Sequence, residues 1–172
     1  MTAPARDIQA RLSLLEDERE ITRTLYRYAH AQYNGDRAMF LDCFTADAVI
    51  VRTRHGREVV GADAIAEFFD AITHLPEACH KHVVIEPLIE IEGDEALVSS
   101  DFLYVQDRDG PMISHFGHYA DVLVRGRDGR WRFRRRELQT EAVSPRDVST
   151  IRPDVGTEIR PGPPAGRPGV PC

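Results

Sequence analysis

The sequence contains no apolar run approaching the roughly 20 residues that a membrane-spanning helix needs, and it has no surplus of positive charge. Its 28 acidic and 22 basic residues leave a formal charge of −6. That balance removes the electrostatic reason to expect nucleic acid or an anionic membrane as a partner. The opening Met-Thr-Ala-Pro-Ala-Arg-Asp lacks an apolar secretory stretch, so a cytoplasmic protein is expected. Cysteine is scarce. Cys43, Cys79 and Cys172 stand far apart, with no C-x-x-C spacing for zinc or thiol redox chemistry, and reduced thiols are expected. What is present, 172 residues of which 42% are hydrophobic and 29% charged, has the balance of one domain with a full core. A small molecule or another protein is the expected partner.

Apolar residues recur at helical spacing from Ile8 through Leu12 and Leu15, then in a second register as Ile21, Leu25, Tyr28 and Ala29. This predicts one long or broken helix ending near Tyr33. Asn34-Gly35-Asp36 stops it, since Asn and Gly accept the left-handed conformation and Asp36 can cap the next helix. A short helix with Met39, Phe40, Cys43 and Phe44 on its apolar side follows, then a strand over 48–53 and a third helix over 61–72. After Pro76 come four β runs, at 82–91, 96–106, 112–124 and 131–141, joined by short Gly/Asp-rich connections. Such connections imply consecutive antiparallel hairpins. The expected class is α+β: three N-terminal helices on one face of a curved, mostly antiparallel sheet, a cone-shaped barrel whose mouth is a natural small-molecule pocket. The domain is expected to span 1–144. The remainder, 145–172, reads as a tail, since 153–172 holds six prolines and four glycines with little to bury.

Several segments, in order, carry a family resemblance over about 14–141: Leu15-Glu16-Asp17-Glu18-Arg19-Glu20-Ile21 running into Arg27-Tyr28-Ala29 and Asn34-Gly35-Asp36; Phe44-Thr45-Ala46-Asp47-Ala48-Val49; Gly61-Ala62-Asp63-Ala64-Ile65; His82 eleven residues before Gly93; Gly117-His118-Tyr119-Ala120-Asp121; and Asp128-Gly129-Arg130-Trp131-Arg132-Phe133. Together they resemble the SnoaL-like branch of the nuclear transport factor 2 superfamily, with relatives such as scytalone dehydratase, bile-acid dehydratase, polyketide cyclases and ketosteroid isomerase. The resemblance implies a deep apolar pocket, no cofactor, and one or two acid/base side chains. His82 matches the position of the acid/base histidine in the dehydratase-like branch. The carboxylate that orients that histidine corresponds to Tyr33 here, so a His-Asp dyad is missing. A second histidine corresponds to Gln106 and a pocket asparagine to Ala120. Dehydration of scytalone itself is therefore not expected.

The polar set that remains is His82 and Tyr33 as candidate catalytic residues, with Tyr104, Gln106, His118, Arg52, Phe116 and Ala120 as candidate substrate contacts. An ordinary histidine pKa near 6.5 would suit His82 for proton transfer, though a strand histidine can equally be a packed core residue. Tyr33 could bond a substrate oxygen or His82, or simply pack. Alternation places His118 with Phe116 and Ala120 toward the pocket, leaving His115, Tyr119, Asp121 and Leu123 on the opposite sheet face, where a homodimer is expected to form. Asp121 reads as structural, with an acid role as the alternative. Arg135 shares the parity of Trp131 and Phe133, and could bridge to Asp17 or Glu18 or enter the pocket as a cation. His80-x-His82 share a face, but no third metal ligand stands at a suitable spacing, so no metal is expected. The function these residues point to is cofactor-free acid/base catalysis, as a dehydratase, isomerase or cyclase on a small cyclic or polyketide-like substrate. A non-catalytic binding or accessory subunit is the alternative.

Overall fold

Neither glycine nor proline interrupts residues 5–34, and the shift between the two apolar registers rotates the stripe without breaking the helix. In the computed structural model, which describes residues 5–71, 80–107 and 111–143, helix α1 accordingly runs unbroken over Ala5–Asn34. Only its second register reaches the core: Ile21, Leu25, Tyr28 and Ala29 are buried, whereas Ile8, Leu12 and Leu15 are exposed. Gly35, at φ 67°, ends the helix in the left-handed region. Asp36 then caps α2 (Arg37–Asp42) by accepting from the Met39 N–H at 2.9 Å. The expected tail at 145–172, with Cys172, and Cys79 lie outside the described residues.

Strand β1 (Phe44–Arg52) leads through a 3-10 turn to β2 (Arg57–Val60), and α3 (Ala62–Ala71) closes the helical half. The expected meander follows as β3 (His80–Glu92), β4 (Glu95–Asp107), β5 (Pro111–Arg125) and β6 (Trp131–Val143). The six strands lie in the order β2-β1-β6-β5-β4-β3. All pairs are antiparallel except β1 with β6, which is parallel. The three helices pack on this mostly antiparallel sheet over a core that includes Phe40, Ile65, Phe102, Leu123, Trp131 and Phe133.

Three irregularities decide which side chains face the helices. In β3 the register shifts between Ile85 and Leu88, with Glu86 at φ 47°. Pro87 is tolerated there because β3 is an edge strand. In β6, Val122 pairs with Arg135 and Leu123 with Phe133, so Arg134 is an extra residue. This bulge switches the inward set from Trp131 and Phe133 to Arg136 and Leu138. The core arginine is therefore Arg136, not Arg135, which lies near Glu58 and Glu137. Glu141 is likewise extra opposite Gly117, and a Cβ on Gly117 would lie 2.0 Å from the Gln139 carbonyl oxygen. Only glycine permits that backbone approach.

The alternation expected for β5 is reversed. Tyr119, Asp121 and Leu123 are buried, while Phe116 and Ala120 are exposed. His118 is half-exposed beside Glu141, 3.1 Å away. Near the β5–β6 turn, Asp17 of α1 accepts two bonds of 2.6 Å from Arg125 and one of 3.0 Å from the Trp131 indole N–H. This fixes the helix to the sheet and leaves Asp17 to Arg125 rather than Arg135. Cys43 is buried and free, and burial pushes its thiol up to about 12, which makes it unreactive.

Candidate functional site

At the far end of the inner face, β3 and β4 pair His82 with Tyr104 and His80 with Gln106, and β5 sets His115 opposite Tyr104. Period-two alternation turns His80 and His82 to one side of β3, toward the helices. The His82 Nε2 and Tyr119 Oη atoms are 2.6 Å apart, a short hydrogen bond. Tyr119 itself is almost wholly buried, whereas His82 keeps part of its surface accessible. The imidazole is lined by rings: Phe102 at 5.6 Å, Tyr28 at 5.9 Å and Tyr104 at 6.0 Å between centroids. Tyr104 stacks on His115 at 4.7 Å, and His80 lies 5.4 Å from Tyr104. The Gln106 Oε1 atom is buried and has no hydrogen-bond partner among the described residues.

Behind Tyr119 lies a fully buried charge pair. The side chains of Arg136 and Asp121 are 1% and 0% exposed, with Nη1 and Oδ2 3.4 Å apart. The guanidinium carbon stands 3.6 Å from the Tyr119 ring centroid, 4.0 Å from that of Tyr28 and 4.4 Å from that of Phe133. These are cation–π distances. Neither oxygen of Asp121 and none of the three side-chain nitrogens of Arg136 makes a hydrogen bond to the described residues.

The environment separates the protonation behaviour of these groups. Burial, reinforced by the positive charge of Arg136 and by His115 and His80, pushes His82 down to about 3. The expectation of a histidine titrating near 6.5 is thereby corrected: His82 is a neutral imidazole at neutral pH. Burial raises Asp121 to about 7 against the pull of Arg136, and raises Tyr28 and Tyr119, the latter well above its usual value. The site thus holds one cation, Arg136, a carboxyl group balanced near neutrality, and two protonated phenols.

Among the residues the sequence pointed to, His82, Tyr104 and Gln106 meet on the inner face. Arg52 ends β1 on the side of buried Ala48 and Ile50. Tyr33 does not meet His82: its hydroxyl bonds the His30 Nδ1 atom at 2.6 Å, and Lys81 Nζ sits 3.9 Å above its ring. Phe116, His118 and Ala120 belong to the outer face, because the inward set of β5 is 119, 121 and 123. Sequence reasoning passed over Tyr119 and Arg136 as site residues and read Tyr28 only as apolar stripe. The available signal was Leu123, whose inward packing carries Asp121 and Tyr119 with it by alternation. His80 and His82 have no cluster of metal ligands around them among the described residues.

Residues 13–137 match the family model of the SnoaL-like domain. The chain is similar to a single-site variant of Rv3472, a protein of unknown function from Mycobacterium tuberculosis, at 26% identity over 81% of this chain and 78% of that one, with a TM-score of 0.66. An NTF2-like protein with a cystatin-like fold from Novosphingobium aromaticivorans matches at 24% identity over 80% and 90%, TM-score 0.71. A candidate scytalone dehydratase from the same organism matches at 23% over 90% and 97%, TM-score 0.66. At those two identities the likeness shows the fold. No curated protein matches the chain.

Proposed function

This chain belongs to the SnoaL-like family, and we propose that it is a dehydratase, isomerase or cyclase whose own side chains act on a small, apolar, ring-bearing carbonyl substrate. The observation that carries this reading is the His82 imidazole, ringed by aromatic side chains, bonded to buried Tyr119 and standing in the field of Arg136. In this reading protonated Tyr119 donates to Nε2, which leaves the imidazole proton on Nδ1 to bond a substrate oxygen. The positive field that opposes an imidazolium favours negative charge on that oxygen, as it develops when a solvent water or hydroxide takes the proton from the neighbouring carbon. Dehydration, isomerisation and ring closure next to a carbonyl all share that enolate-forming step. Tyr104 and Gln106 flank the position, and the surrounding rings suit an apolar skeleton. The family's dehydratases and cyclases make this chemistry a natural use of the scaffold.

The test uses 1-tetralone in deuterated buffer, with exchange of the hydrogens next to its carbonyl followed by NMR. The reading expects exchange above the buffer rate, lowered about 10²–10³-fold by His82→Ala, the usual effect of removing a donor to a developing oxyanion. Binding of the ketone without any acceleration would instead support a non-catalytic binding or accessory subunit. That second reading is favoured by Tyr33, whose hydroxyl is held by His30 instead of turning to His82. The homodimer belongs to the same proposal, now resting on the outer residues Leu97, Ile113 and Phe116, all exposed. Light scattering giving a monomer mass at micromolar concentration would count against it.

A further inference from the structure

Helix α1 has a second face that the sheet does not use. Its core residues Ile21, Leu25 and Tyr28 are buried. At about 100° per residue, the line Ile8, Leu12, Leu15, Arg19, Thr22 and Tyr26 runs along the opposite side of the same helix. Ile8, Leu12, Leu15 and Tyr26 are between 47% and 62% exposed. Every residue from Asp7 to Glu16 is exposed, so the start of the helix has nothing of the described fold packed against it. A helical stretch of that length draws most of its stability from packing an apolar face rather than from propensity. The line advances in steps of four and three residues, the spacing of the a and d positions in a coiled-coil seam.

We propose that this stripe pairs in parallel with the same stripe of a second copy of the chain, as a short two-stranded coiled coil. With Leu12, Arg19 and Tyr26 at a and Ile8, Leu15 and Thr22 at d, the flanking g and e residues are Arg11 and Glu16, then Glu18 and Arg23. In a parallel pair each g residue meets the e residue five places further along the other helix. Arg11 of one copy therefore meets Glu16 of the other, and Glu18 meets Arg23, so every flanking contact of the symmetric pair joins opposite charges. Arg23 also holds Glu20 of its own helix, 2.6 Å away. This charge pattern is what selects a second copy as the occupant: the chain complements itself. Arg19 weakens the seam, but a lone polar residue at a fixes its register. The two domains do not collide, because each lies on the far side of its helix from the seam. The contact is separate from the outer sheet face, which lies on the opposite side of the domain.

Sedimentation equilibrium of the full chain reads both the assembled mass and the association constant. Leu12→Glu, at a position already 47% exposed, should halve the assembled mass. Arg11→Glu should weaken association roughly 3–10-fold, the worth of two exposed ion pairs turned to repulsions, and adding Glu16→Arg should restore it. A wild type with the mass of one chain at submillimolar concentration would overturn the inference and leave the stripe to a different protein. A mass unchanged by Leu12→Glu would overturn it too, with the outer sheet face then carrying the assembly. If Glu16→Arg fails to rescue Arg11→Glu, the parallel pairing is wrong and the inference falls with it.

Discussion

The chain contains two arginine–aspartate pairs that differ in how they meet and in what they do. Arg125 and Asp17, 31% and 12% exposed in their side chains, meet through two bonds of 2.6 Å, and Asp17 also takes the Trp131 indole proton. Arg136 and Asp121 are sealed from water, 3.4 Å apart, without hydrogen bonds to the described residues. The first arrangement is what a stabilising clamp requires: good geometry, satisfied oxygens and a second carboxylate, Asp94, 3.0 Å from the remaining nitrogen, Nε. In the second, the desolvation of both charges is only partly offset. A pair of that kind adds little to stability, and its evident effect is on its neighbours: Arg136 lies against Tyr119 and depresses His82. One pair holds the helix to the sheet, and the other sets the electrostatics of the site.

The largest expected effect comes from splitting the buried pair. Arg136→Met should cost about 3–5 kcal/mol in urea unfolding, because Asp121 loses its counter-charge in the core and is left as a buried polar group that takes up a proton. Arg136→Met with Asp121→Leu should recover most of that loss. A double variant no more stable than the single one would break the contrast between the two pairs. At the clamp, Asp17→Ala should cost roughly 1.5–3 kcal/mol, the value of hydrogen bonds to a charged group.

A smaller effect appears in the pH dependence of stability. Asp121 rises from 3.8 to about 7 on folding, so unfolding releases its proton and stability falls as pH rises from about 4 to 7. His82 drops from 6.5 to about 3, so unfolding takes up a proton and stability rises from about pH 3 to 6.5. Over their overlap the two slopes oppose each other and nearly cancel. Asp121→Asn should uncover the rising slope, and His82→Gln the falling one, in unfolding curves taken between pH 4.5 and 6.5. Identical slopes in both variants would show that the pair does not control its neighbour. Smallest of all, Arg125→Lys keeps the charge and loses the fork, and should cost less than about 1 kcal/mol at its half-exposed position.

The meander was legible because Gly93, Gly110 and Gly129 punctuate long β runs at hairpin spacing, and the place of His82 on the inner face followed from its match to the family position. The parallel pairing of β1 with β6 was not legible, since no local pattern reports a contact between strands so far apart in the chain. Strand β2 is four residues, Arg57 to Val60, too short and too charged to stand out. Arg136 was hidden by the bulge at Arg134, which shifts parity by one and substitutes one arginine for its neighbour in the core. The face of β5 was misread for a related reason. Its orientation was taken from the position of Ala120, whereas the packing of Leu123 and Trp131 decides it. The site was thus half visible: His82 and Gln106 from the family resemblance, Tyr104 from the strand parity it shares with Gln106, Tyr119 and Arg136 only from the register of β5 on β6.

His82 is a neutral imidazole whose Nε2 atom is tied to Tyr119, and nitrogen-15 NMR of its ring across pH reads both properties at once. The spectra should show the Nδ1–H tautomer with no protonation of the ring down to about pH 4, and a shift of the Nε2 resonance in Tyr119→Phe. A titration midpoint near 6.5, or an Nε2 signal indifferent to Tyr119→Phe, would contradict this assignment.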